Sequence, residues 1–137
     1  VSLRTVQEHK APGTMSNLLV KSVLSDSVKF FYDGGIRVDR SAQKTDAYQR
    51  NENLLVGKNA SAQSSPTLEI LANDVRCTHG ATIGSVSDDQ LWYLGSRGIP
   101  KEEATQLIVS GFLIDALGRI ADEEVRKEVE EKLWQIL

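Results

Sequence analysis

Several things are missing from this chain, and each absence removes a class of protein. One cysteine, Cys77, in 137 residues cannot close an internal disulfide and cannot by itself furnish a metal-ligand set. That favours a reducing compartment. Sixteen basic against nineteen acidic residues leave a net charge of -3 with no basic run, so nucleic acid is not an expected partner. No apolar stretch approaches the roughly 18–20 residues that span a bilayer, and the N-terminus carries no signal-peptide core, so no membrane insertion is expected. No Ser/His/Asp or Cys/His/Asn set with supporting motifs occurs, and the chain reads as non-enzymatic. Gly57-Lys58 lacks the upstream glycine of a phosphate loop and reads as a turn. Hairpin signals of the Asn-Gly kind are missing as well.

What is there begins with short apolar alternations separated by polar corners. Strands are expected within Val1–Ala11, over Leu18–Leu24, over Val28–Tyr32 closed by Asp33-Gly34-Gly35, and over Ile36–Asp39. Small polar residues from Ser41 through Asn53 read as turn and extended chain. Leu54–Val56 is apolar, Gly57–Pro66 reads as a polar turn, and Leu68–Leu71 and Val75–Cys77 are strand candidates again. Short strands that turn corners without hairpin chemistry suit a β-helix better than a meander, although no strict repeat period is visible.

From residue 87 the period changes to that of helices. Ser87-Asp88-Asp89-Gln90 has the form of a capping box, predicting a helix over Asp88–Ser96 that stops at Arg97-Gly98. Pro100 followed by Lys101-Glu102-Glu103 opens a second helix whose apolar face is Ala104, Leu107, Ile108, Phe112 and Leu117. Gly111 in its middle costs about 1 kcal/mol against alanine and implies a close neighbour. Asp122 is placed to cap a third helix with a stripe of Val125, Val129, Leu133 and Ile136 or Leu137. The expected architecture is therefore mainly β with C-terminal α: β-helix coils over residues 1–86, then a small helical region of about three helices over 87–137.

The junction Leu68–Gly98 holds the chemistry-bearing residues. Val75, Cys77 and His79 alternate with polar neighbours and share one face of an extended segment, with Arg76 on the other. Neutral imidazole is a competent iron ligand; a lone cysteine beside Val75 is more often a small buried hydrophobe. Two readings stay open: metal ligands, or core residues in a purely structural interaction module. His9 has no partner in the sequence and reads as a surface or coil residue.

The block from Leu68 to Phe112, with His79-Gly80-Ala81-Thr82, Ser96-Arg97-Gly98-Ile99 and Gly111-Phe112, resembles the C-terminal part of the SufB/SufD family of SUF iron–sulfur cluster assembly scaffolds. The upstream runs TDAYQRNENLLVG and SSPTLEI are similar to the same family, and Cys77-x-His79 is more similar to SufD than to SufB. The resemblance implies a right-handed parallel β-helix followed by a helical region that binds the ATPase SufC, with SufB, or a second copy as a homodimer, as the other partner in a SufBCD complex. An open coil end, with its unpaired backbone groups, also points to a dimer. The resemblance implies that His79, and less so Cys77, is an iron–sulfur ligand at a shared interface, with a cluster held only transiently and no tightly bound cofactor. Helix-pair residues Tyr93, Arg97, Gly98, Ile99, Pro100 and Leu113 are the candidate SufC contact; Trp92 and Phe112 are expected to close the β-helix bore. Bacterial cytoplasm or plastid stroma is the implied location. Family members are much longer, so the chain corresponds to their last coils and helical tail.

Overall fold

In the computed structural model, which describes residues 1–135, six strands come first: β1 (Ser2–His9), β2 (Met15–Leu24), β3 (Lys29–Val38), β4 (Asp46–Leu55), β5 (Ser61–Ile70) and β6 (Arg76–Ser85). Odd strands form one sheet in the order β1-β3-β5 and even strands the other, β2-β4-β6. β1 pairs with β3, β2 with β4 and β3 with β5, each in parallel. A chain that alternates between two such sheets and steps one strand along each time is a parallel β-helix, here of three coils. Ser2 pairs with Phe31, Met15 with Asp46 and Lys29 with Ser61, spacings of 29, 31 and 32 residues. Corners of unequal length absorb these differences, which is why the sequence shows no fixed period.

The coils bury a mixed interior. Ile36, Val38, Ala42, Ala47 and Ala72 form one apolar cluster, with Val75 and Cys77 packed on it. Leu24, Phe30 and Tyr32 form a second, flanked by Val20, Val28, Leu55, Ala60 and Ala62. Burying such aliphatic and aromatic side chains is worth about 1.5–3 kcal/mol each. On β4, however, the inward row is Ala47, Gln49, Asn51 and Asn53, and the three amides are 1–3% exposed. They hold one another and their neighbours: Asn53 Nδ2 donates to Asn51 Oδ1 at 2.8 Å and to the Thr82 carbonyl at 3.1 Å, and Ser22 Oγ donates to Asn53 Oδ1 at 2.6 Å. Buried polar groups are tolerated when paired in this way.

Three sequence expectations change here. Asp33-Gly34-Gly35 does not close a strand; β3 runs straight through it. Gly34 is buried beneath the Tyr32 ring and the Gln49 amide, and a Cβ there would collide with Gln49 Nε2 and come within 2.7 Å of Tyr32. Its role is close approach rather than a turn. The polar stretch 41–53 contains most of β4, because its alternating amides face a polar interior instead of water. Residues 61–66 likewise belong to β5, where Pro66 is accommodated on an edge strand.

The second compact unit, from Ser85 on, carries α1 (Asp88–Ser96), α2 (Lys101–Leu117) and α3 (Glu123–Trp134). α1 ends in a Schellman motif: Gly98 takes φ +84°, the Ile99 N–H donates to the Leu94 carbonyl and the Gly98 N–H to that of Gly95. The Ser87 side chain makes no cap bond, so the expected capping box is not formed. Pro100 is the residue before α2 rather than its first. Asp122 does cap α3, accepting from the Glu124 and Val125 N–H groups at 2.9 and 3.1 Å. On α2 the buried residues are Ala104, Val109 and Leu117, while Leu107 is exposed. Apolar residues surround this helix, so periodicity alone did not single out the covered face. Gly111 has nothing within 4 Å of where its Cβ would lie, contrary to the close neighbour expected. Trp92, expected to be buried as a plug of the bore, is 76% exposed; Phe112 is half-buried. In α3, Ile136 and Leu137 of the expected stripe lie outside the described residues, and Val125 and Val129 are exposed.

Candidate functional site

β6 is an edge strand of its sheet, and its inward side carries Cys77 and His79. Cys77 is half-buried against the apolar cluster, as is Val75 two residues earlier. Burial pushes the Cys77 thiol above its ordinary value, the nearby Asp46 carboxylate adds to the rise, and a backbone hydrogen bond at Ala47 opposes it. At neutral pH this sulfur is a protonated, weakly nucleophilic thiol. His79 follows on the same side by strand alternation and is exposed, in contrast to a satisfied core histidine. Arg76 lies on the outer side, paired with Asp46: its Nε donates to Asp46 Oδ1 at 3.2 Å, and a second guanidinium–carboxylate contact accompanies it. The guanidinium holds the Asp46 carboxyl below its usual value. Asp46, Arg76, Tyr48, Thr78, Asn17, Ser16 and Met15 line a shallow outer groove of about 570 Å³.

Among the described residues no group of three or more His, Cys, Asp or Glu side chains is placed to hold a metal ion. Cys77 and His79 by themselves do not make up a metal-ligand set. The coil interior also carries polar side chains. Gln49 Nε2 donates to the Tyr32 hydroxyl, which also bonds Thr5 Oγ1 at 2.7 Å, while Gln49 Oε1 and Ser64 Oγ are buried with no partner. Sequence reading passed over Gln49 and Ser64 because they fall in stretches read as turn and extended chain or as a polar turn. The alternation Gln49, Asn51, Asn53 was the available signal.

His9, read as a surface or coil residue, is instead 5% exposed at the end of β1. Its Nδ1 bonds Thr14 Oγ1 at 2.7 Å and its Nε2 bonds Ser16 Oγ at 2.8 Å. Those partners sit across the corner, and the Thr14-x-Ser16 alternation was the clue. The ring is fully engaged and serves the corner.

In the helical unit, Tyr93 is 51% exposed and carries the Arg97 guanidinium over its ring at 4.8 Å from the centroid. Gly98 and Pro100 are exposed, while Ile99 and Leu113 are half-buried. Tyr93 also borders a depression of about 360 Å³ between α1 and α2, together with Asp89, Gln90, Leu94 and Ile108. Trp92, Leu107 and Ile114 add exposed apolar area to this unit. Sequence reading had assigned Trp92 and Leu107 to packing and missed them as surface.

Comparison with known proteins adds the following. Residues 1–112 match the family described as SUF system FeS cluster assembly, SufBD core domain. The chain is 40% identical over 134 residues to the iron–sulfur cluster assembly protein SufD of Escherichia coli, covering 98% of this chain and 32% of that protein. It is 36% identical to the chloroplastic protein ABCI7 of Arabidopsis thaliana, over 85% of this chain and 25% of that one. With SufD of Bacillus subtilis it shares 34% identity, over 88% and 28% respectively. The chain thus spans about a quarter to a third of the length of these relatives.

Proposed function

Since the chain belongs to the SufB/SufD family of SUF iron–sulfur cluster assembly proteins and is most like SufD, we propose that it is part of a non-catalytic scaffold subunit that shares a cluster-assembly site with a second chain and holds an ATPase through its helices. His79 is the ligand this chain brings to the nascent cluster, which is cargo rather than a resident cofactor. Cys77 and His79 share the inward side of an edge strand, and no third ligand accompanies them among the described residues. Any cluster held there takes its remaining ligands from another chain, for which the edge of β6 is the open side. SufB is the partner the family offers, and a second copy is the alternative.

The ATPase contact falls on α1, α2 and the turn between them. Tyr93, Arg97, Gly98, Ile99, Pro100 and Leu113 form its centre, with Trp92 as an added anchor, and exposed aromatics of this kind are what an interface buries. SufC is the expected occupant, in bacterial cytoplasm or plastid stroma. For Cys77 the packing on Ile36, Val38 and Ala47 and the raised thiol favour a core role instead.

Complementation of a SUF-deficient cell with the full-length gene carrying His79→Ala tests the ligand. Loss of cluster assembly is expected; wild-type assembly would sink it. A pull-down with SufC using a chain truncated before Ser87 tests the helical contact, and binding as strong as that of the intact chain would move it elsewhere.

A further inference from the structure

We infer that Gln49 is the positioning residue of His79: its buried side-chain carbonyl accepts the imidazole N–H and fixes which ring nitrogen is free for a ligand. The inference rests on the ligand role proposed for His79 and adds a partner within this chain.

Register brings the two residues together. The Asp46 N–H donates to the Thr14 carbonyl where Met15 and Asp46 are ladder partners. The Arg76 N–H bears the same relation to the Thr45 carbonyl, which makes Arg76 the partner of Asp46 on the next coil. Their side chains accordingly meet in an ion pair on the outer face. Both strands continue for ten residues, and extending the ladder by three sets His79 beside Gln49 on the inward side. Asn53 Nδ2, donating to the Thr82 carbonyl further along, ties the same two strands together.

Chemistry then pairs them. Gln49 is 2% exposed, and its Nε2 is committed to the Tyr32 hydroxyl, so Oε1 is a buried acceptor with no donor. Such an orphan is costly in a protein interior. On the facing sheet of this last coil, β5 sets the smaller Ser64 and Ala62 where β3 has Tyr32 and Phe30. The imidazole of His79 is exposed on the edge strand and has no hydrogen-bond partner among the described residues. A turn of that ring over the coil supplies the missing donor. A ligating histidine characteristically donates its other N–H to such an acceptor, which fixes the tautomer and raises the basicity of the free nitrogen.

The test is the tautomer state of His79, read by long-range proton–nitrogen correlation on the intact protein labelled with nitrogen-15 histidine, without iron. His79 is expected to show one tautomer in the wild type and the mixture of a free imidazole in Gln49→Leu and Gln49→Met. His9, held by Thr14 and Ser16, reports in the same spectrum that the coils remain folded. A His79 mixture already present in the wild type, or a single tautomer that survives both substitutions with His9 unchanged, would overturn the inference. Because the measurement needs no cluster, it is independent of the complementation result for His79→Ala.

Discussion

Replacing Gly34 by alanine is the sharpest probe of the coil interior. The added methyl group would collide with Gln49 Nε2 and come within 2.7 Å of the Tyr32 ring edge and hydroxyl. Neither side chain has free space to retreat into, since Tyr32 is 1% and Gln49 2% exposed. Overpacking of a filled core costs about 1–3 kcal/mol. Displacing Gln49 from the Tyr32 hydroxyl strands a second buried polar atom, at about 1–3 kcal/mol. Against these stands a gain of about 0.4–1 kcal/mol from the stiffer unfolded chain. A net loss of about 3 kcal/mol is expected, read as a fall in the urea midpoint. Gly35→Ala is the control one residue away, where the nearest atoms, the Thr5 carbonyl and Val6 Cγ2, lie at 3.8 Å; its effect should stay within about 0.5 kcal/mol of wild type. In the double variant Gly34→Ala/Gln49→Ala the losses should fall short of additive, because the colliding side chain is gone. Equal damage from the two glycine substitutions, or full additivity in the cycle, would refute the close-approach account of Gly34.

Three smaller perturbations probe other parts. Alkylation of Cys77 should reach half its maximal rate at a pH above that of an unperturbed thiol, since burial favours the neutral form; by the same sign, the stability this group contributes is complete below the unfolded thiol pKa and is lost as pH rises through the folded one, and a midpoint at or below the ordinary value would contradict it. Asp122→Ala should cost about 1 kcal/mol by removing the cap bonds to Glu124 and Val125, whereas Ser87→Ala, which removes no cap bond, should leave the denaturation midpoint nearly unchanged. Gly111→Ala should stabilise α2 by about 1 kcal/mol, because open space surrounds the new methyl group; a lower melting temperature would show that something fills that space.

The helical half was legible because its signals are local. Leu94, Gly98 and Ile99 lie within one turn of each other, and the glycine that ends α1 does so through bonds spanning five residues. The strands were legible in kind but not in extent. Alternation of apolar and polar residues marks a strand only where the buried side is apolar, and on β4 it is Gln49, Asn51 and Asn53 that face inward. Their partners, Tyr32, Ser22 and Thr82, lie 17 to 31 residues away, beyond any local pattern. His9 was misjudged for a related reason: its ring is satisfied by two hydroxyls whose placement depends on how the corner folds. At the candidate site, the sharing of one strand face by Cys77 and His79 follows from period two alone, whereas the neighbouring acceptor on Gln49 depends on a register that only the stacked coils define.

An edge strand is a physically sensible place for a shared ligand. A histidine in the middle coil would be covered by a coil on each side, and His9, at the end of the other edge strand β1, has both nitrogens consumed by fixed partners across a corner. A histidine on a loop would be reachable but unaimed. On β6 the coil beneath fixes the backbone through pairing with β4, and no strand pairs on its other edge among the described residues. Inward polar atoms of the coils, Gln49 Oε1 and Ser64 Oγ, are buried there without a partner. Cys77 sits two residues nearer the start of β6 and is half-buried against the apolar cluster of Ile36, Val38, Ala42, Ala47 and Ala72. Position along one strand therefore separates the two candidates: the thiol is half-covered by the apolar cluster and the imidazole is exposed.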